Sequence, residues 1–87
     1  MAKTASLQDA IQLHRAGDLA AAQRAYQDLL QSDGANADAL NNLGYLLVQR
    51  GQPGEGLPYI ERAVAVRENP LFHVNAAKAH RALGRTQ

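Results

Sequence analysis

His73 and His80 stand seven residues apart, a spacing that places two imidazoles on one face of a helix. Imidazole ligates metals, but a protein site supplies three or four ligands, and no third group stands at suitable spacing beside this pair. Both are expected to be structural: His73 takes the place of a large core residue, and His80 falls where Leu47 stands one period earlier. His14 is expected to be partly exposed. Ser6 and Ser32 fit helix caps better than nucleophiles. The glycines of GQPGEGLP, residues 51–58, would suit a phosphate-binding loop only between a strand and a helix, and no strand precedes them. There is no cysteine, hence no thiol chemistry, disulfide or thiolate-held metal. The expectation is a non-catalytic chain with no metal and no cofactor.

The formal net charge is +1, with both signs scattered along the chain. Without a basic block there is no electrostatic footprint for nucleic acid or an anionic membrane. MAKTASLQDA lacks the apolar centre of a signal peptide, and runs such as LGYLLV are too short to span a bilayer. A cytoplasmic location is expected. With 87 residues the chain is long enough for one small domain, whose thin core must be built from Ala and Leu. Both are strong helix formers, which predicts an all-α fold.

Five helices follow from apolar periodicity and its punctuation. The first spans about 6–16, with Leu7, Ala10, Ile11 and His14 on one stripe and Ser6 or Thr4 as its cap. Gly17 stops it, and Asp18 caps the second, about 19–31, whose stripe is Leu19, Ala22, Tyr26, Leu29 and Leu30. SDGANAD supplies turn and cap residues before the third, about 37–49, carrying Leu40, Leu43, Gly44 and Leu47. Gly51 stops that one, and Pro53 suits the first position of the fourth, which runs to about Arg67. Pro58 removes one hydrogen bond within it, and a bend or loose first turn is expected there. The fifth covers about 71–83 and ends at Gly84.

The punctuation repeats. Gly17 and Gly51 are 34 apart, as are Ala10 and Gly44, Leu13 and Leu47, and Ala22 and Gly56. Gly51 and Gly84 are 33 apart, as are Asn42 and Asn75, and Gly44 and Ala77. Small residues recur where paired helices must cross closely. Leu40-x-x-Leu43-Gly44-x-x-Leu47 and Ala22-x-x-x-Tyr26, at this period, resemble the first- and second-helix patterns of the tetratricopeptide repeat family. The resemblance implies an α-solenoid of two helix–turn–helix repeats, about 3–36 and 37–69, plus a half repeat over 70–87. That last helix either caps the stack, with Arg67, Lys78, Arg81 and Arg85 on its polar side, or belongs to a repeat that continues. GDLAAAQRAYQDLL and GRTQ also resemble repeats that precede bacterial glycosyltransferase and sulfotransferase domains.

Such solenoids line a concave groove with the first helix of each repeat, which implies a protein or peptide partner. Gln8, Asn42 and Asn75 hold the same place in the three first helices, resembling the asparagine ladder of O-linked N-acetylglucosamine transferases. A side-chain amide both donates and accepts, so it pairs with a peptide group whatever the sequence; the alternative is amides solvated or bonded within their own helices. Asn41, Tyr45, Val48 and Gln49 extend the expected surface, Lys78 and Arg81 add positive charge, and His14 and Arg15 flank it. The chaperone-type carboxylate clamp is not reproduced. A monomer is expected, with weak homodimerisation through an under-covered last helix, or service as one part of a larger enzyme, as the alternatives.

Overall fold

In the computed structural model, which describes residues 6–84, the chain forms five helices: α1 (Leu7–Arg15), α2 (Leu19–Ser32), α3 (Ala37–Gln49), α4 (Pro53–Val66) and α5 (Pro70–Gly84). There is no strand among the described residues. Thr4, the other candidate cap, and Arg85 lie outside them. The order is that of an all-α tandem of hairpins, α1 with α2 and α3 with α4, closed by α5.

Local chemistry sets each boundary. The Ser6 hydroxyl accepts from the Asp9 amide while the Asp9 carboxylate accepts from the Ser6 amide, a reciprocal box at the start of α1. The side chains of Asp18 and Asn36 cap α2 and α3 by accepting from the amides of Ala21 and Ala39. Gly17 and Gly51 have φ of 85° and 79°, a region costly for residues with a Cβ. Each is followed by the same closing bond: the Asp18 amide donates to the Leu13 carbonyl at 3.0 Å, and the Gln52 amide to the Leu47 carbonyl at 2.8 Å. One turn chemistry is thus used twice, a repeat length apart. Pro53 opens α4, and Pro58 lies within that helix. Pro58 and Gly54 are both exposed, so the carbonyl that Pro58 leaves without its helical donor is near water.

α3 is the central element. It packs against all four other helices, and Ala39, Leu40, Leu43, Leu46 and Leu47 on it are buried. On one side they meet Ala10, Ala22, Ala25 and Tyr26; on the other, Leu40 joins Ala37, Ala63 and Phe72. The α3–α4 crossing depends on two missing side chains. A Cβ at Gly44 would sit 2.7 Å from the Gly56 carbonyl oxygen, and one at Gly56 would collide with the Gly44 carbonyl. Two backbones are in contact there, and neither can withdraw without opening the hairpin.

Three expectations for α5 are corrected. Phe72, not His73, enters the core, at 1% exposure; His73 lies outside and bonds Glu68 at 2.7 Å, and His80 is exposed. Ala77, the counterpart of Gly44, faces solvent, since no helix among the described residues lies against it as α4 lies against Gly44. Leu71 and Val74 are exposed. The histidines are exposed for the same reason as Ala77: Leu40 and Leu47, 33 residues earlier, are buried toward Ala63 and Gly56 of α4, and no helix among the described residues covers the corresponding side of α5.

Candidate functional site

α1, α3 and α5 lie side by side, α3 in the middle, and their common face carries two adjoining clefts. The first, about 410 Å³, is lined by Ile11, His14 and Arg15 of α1, Asn42 and Gln49 of α3, and Tyr26 from below. The second, about 350 Å³, lies between Tyr45, Val48 and Gln49 of α3 and Lys78, Arg81 and Ala82 of α5. Gln49 borders both.

A polar network forms the floor. The His14 ring spans two helices: its Nδ1 lies 3.1 Å from the Tyr26 hydroxyl and its Nε2 2.5 Å from Gln49 Oε1. Gln49 Oε1 only accepts, so the ring donates through Nε2 and takes the Tyr26 proton at Nδ1. Both nitrogens of a neutral imidazole are then satisfied. Tyr26 is fully buried. Burial pushes its hydroxyl above the ordinary phenol range, opposed by a hydrogen bond with Asn42 and by the charge of Arg15. Deeper still, Asn75 Nδ2 donates to Asn41 Oδ1 at 3.0 Å, and Asn41 Nδ2 donates to Asn42 Oδ1 at 3.3 Å. Each amide covers a partner's need in a place water does not reach, and no buried side-chain polar atom among the described residues lacks a partner.

This network corrects the expected ladder. Asn41 and Asn75, 2% and 5% exposed, bond to one another inside the α3–α5 contact, so neither offers its amide to the surface. Gln8 is exposed on α1 and lines neither cleft. Of the three intended rungs only Asn42 borders a cleft. The physical reason is helical phase: Asn41 points at α5, and Asn42, about 100° round the helix, points at Tyr26. Tyr45, Gln49, Lys78 and Arg81 do come together, as expected. The Lys78 ammonium lies 5.0 Å from the Tyr45 ring centroid, and His14 flanks the same ring at 6.4 Å. The sequence reading missed the part played by His14 and Tyr26, which are the centre of the floor. Their meeting is a contact between helices, and only the recurrence of polar groups on otherwise apolar stripes hinted at it.

A family model described as tetratricopeptide repeat matches residues 7–70 and again 44–87. The chain is a tetratricopeptide repeat protein. Cellulose synthase operon protein C of Komagataeibacter xylinus is 35% identical to it over 77 residues, which are 88% of this chain and 6% of that protein. The tetratricopeptide chain therefore corresponds to a small part of that relative's length. No solved structure matches it. No helix among the described residues is long and apolar enough to cross a membrane.

Proposed function

We propose that this repeat domain is a non-catalytic interaction module that holds a protein or peptide segment across α1, α3 and α5. The observation that carries the reading is the pair of adjoining clefts, whose exposed lining mixes neutral amides, an aromatic ring and cations above a fully bonded floor. Asn42 and Gln49 supply groups able to pair with a peptide backbone, Tyr45 a flat apolar surface, and Ile11 and Val48 places for side chains. The floor keeps these groups in position before a partner arrives, which lowers the ordering cost of binding. Membership of a family whose repeats generally mediate protein–protein contact supports the same reading.

The test is site-directed photo-crosslinking in the cells that produce the protein. A photoreactive residue at Gln49 should capture a partner, and one at Glu61, exposed on α4, should not. Capture from Glu61 with none from Gln49 would place the interface elsewhere.

A second reading has its own observation. Val66, Leu71 and Val74 are 49%, 56% and 49% exposed near the outer side of the last hairpin. Association through that end would cover them, either between copies or against further helices of a larger protein. Sedimentation across a hundredfold concentration range, with Leu71→Gln and Val74→Gln as comparison, distinguishes self-association from a monomer.

A further inference from the structure

We propose that the occupant of the α1–α3–α5 face is an extended acidic segment whose two carboxylates, about six residues apart, meet Arg15 at one end and Lys78 with Arg81 at the other. This rests on the groove reading above and adds the chemistry of the partner.

The first support is the distribution of charge. The chain holds 9 Lys and Arg against 8 Asp and Glu, so a face of one sign does not follow from composition. Yet among the described residues the charged side chains lining the two clefts are Arg15, Lys78 and Arg81, and no described carboxylate lines either. Elsewhere Arg67 is matched by Asp38 at 2.7 Å and His73 by Glu68, while Arg50 and Arg62 bond the neutral Gln23 and the Gly34 carbonyl, so what sets the cleft cations apart is their gathering on one face. Among the described residues none of the three cleft cations has an ion pair. Their field is left uncompensated within the described part of the fold, and walls of protein concentrate it in the clefts.

The second support is how these cations are held. Lys78 lies over the Tyr45 ring, which attracts the ammonium to the floor of the face. Arg15 borders the cleft whose floor is the His14–Tyr26 pair. Charge thus sits at the two ends, and the neutral amides Asn42 and Gln49 lie between. That order suits a peptide, whose backbone needs amide partners between its charged side chains.

Spacing sets the segment. Packed helices lie about 8–10 Å apart, so α1 and α5, on either side of α3, are roughly 16–20 Å apart. An extended chain rising about 3.3 Å per residue covers that in about six residues. An even separation turns both carboxylates to the same face of the segment.

The experiment titrates isotope-labelled protein at low salt with ten-residue peptides of alternating Ser and Thr, carrying Glu at positions 2 and 8, Gln at both, or Lys at both. Amide shifts locate each binding event. The Glu peptide is expected to move the side-chain amides of Asn42 and Gln49 and to bind about tenfold more tightly than the Gln peptide. That is the size expected of two or three exposed charge contacts of a few-fold each. Added salt should remove the difference, and the Lys peptide should not bind. Lys78→Gln with Arg81→Gln should lose about four- to fivefold for the Glu peptide, two of the three contacts, while Arg24→Gln on α2 changes nothing; circular dichroism shows that the variants remain folded. Equal binding of the Glu and Gln peptides at Asn42 and Gln49 would overturn the acidic assignment and leave the groove standing. Shifts confined to other residues, or none at millimolar peptide, would overturn the proposal, with the crosslink at Gln49 deciding the groove independently. Displacement of the Glu peptide by a short single-stranded oligonucleotide at lower concentration would reassign the face to nucleic acid.

Discussion

Asn75 shows what one polar side chain does when it turns inward. It donates to Asn41 Oδ1, and removing it leaves that oxygen buried without a donor. Asn75→Ala should therefore destabilise the fold by about 1–3 kcal/mol in urea titration, the desolvation cost of an unmet polar group. Replacing Asn41 and Asn75 together by Leu should cost less than Asn75→Ala alone, since both partners leave at once. The residue scale also holds a pH effect. Burial raises the Tyr26 hydroxyl above its ordinary value near 10. Well below pH 10 the phenol is neutral in both states and contributes no pH dependence. As pH rises past the unfolded value, the unfolded chain loses its proton first, so stability falls until the folded tyrosine ionises as well. Alkaline unfolding followed by circular dichroism should show that component in the wild type and lack it in Tyr26→Phe.

Glycines at the scale of elements divide into those the fold requires and those it tolerates. Gly44 and Gly56 hold the α3–α4 crossing, where added side chains meet backbone. Gly44→Ala or Gly56→Ala should cost about 1–3 kcal/mol or more, the range of overpacking where neighbours cannot yield. Gly54, in the first turns of α4, is different. An added Cβ there would meet only the Leu83 Cδ2 atom at 3.7 Å, an ordinary contact. Gly54→Ala should stabilise the protein by about 0.5–1 kcal/mol, read as a higher midpoint in thermal unfolding. The two outcomes have opposite sign within one eight-residue stretch, because only at Gly56 would the added side chain collide with the backbone of another helix. That stretch, GQPGEGLP, was legible as a helix stop and restart from its residue types alone. The tight crossing was legible from the period, because Gly56 falls where Ala22 stands 34 residues earlier.

For the molecule as a whole, the arrangement is linear, 46 × 26 × 18 Å, and each hairpin is supported by its neighbours. α3 touches every other helix, whereas α1 and α5 sit at the two ends. Native-state hydrogen exchange should accordingly find the slowest amides in α3 and progressively faster ones in α1 and α5, because terminal helices open without disturbing the centre. Uniform protection across all five would show a single cooperative unit instead. The terminal exposure of Leu71, Val74 and Ala77 belongs to the same scale: a solenoid covers each hairpin with the next, and no helix after α5 pairs with it among the described residues.

What the residues settled unaided was local or periodic: the cap at Asp18, a first cap at Ser6 or Thr4, the stops at Gly17 and Gly51, the five helices, and the small side chains at Ala10, Ala22, Gly44 and Gly56. Each depends on a preference acting within one turn, or on a spacing that repeats along the chain. The fate of each amide was different. Asn41, Asn42 and Asn75 are identical in chemistry, and a step of about 100° around a helix decides which is buried and which borders a cleft. Tertiary packing gave that step its meaning, by setting which neighbour each face of α3 meets: Asn75 of α5 for Asn41, and Tyr26 of α2 for Asn42. It likewise brought His14 to Tyr26 and Gln49, groups far apart along the chain whose meeting no local preference encodes.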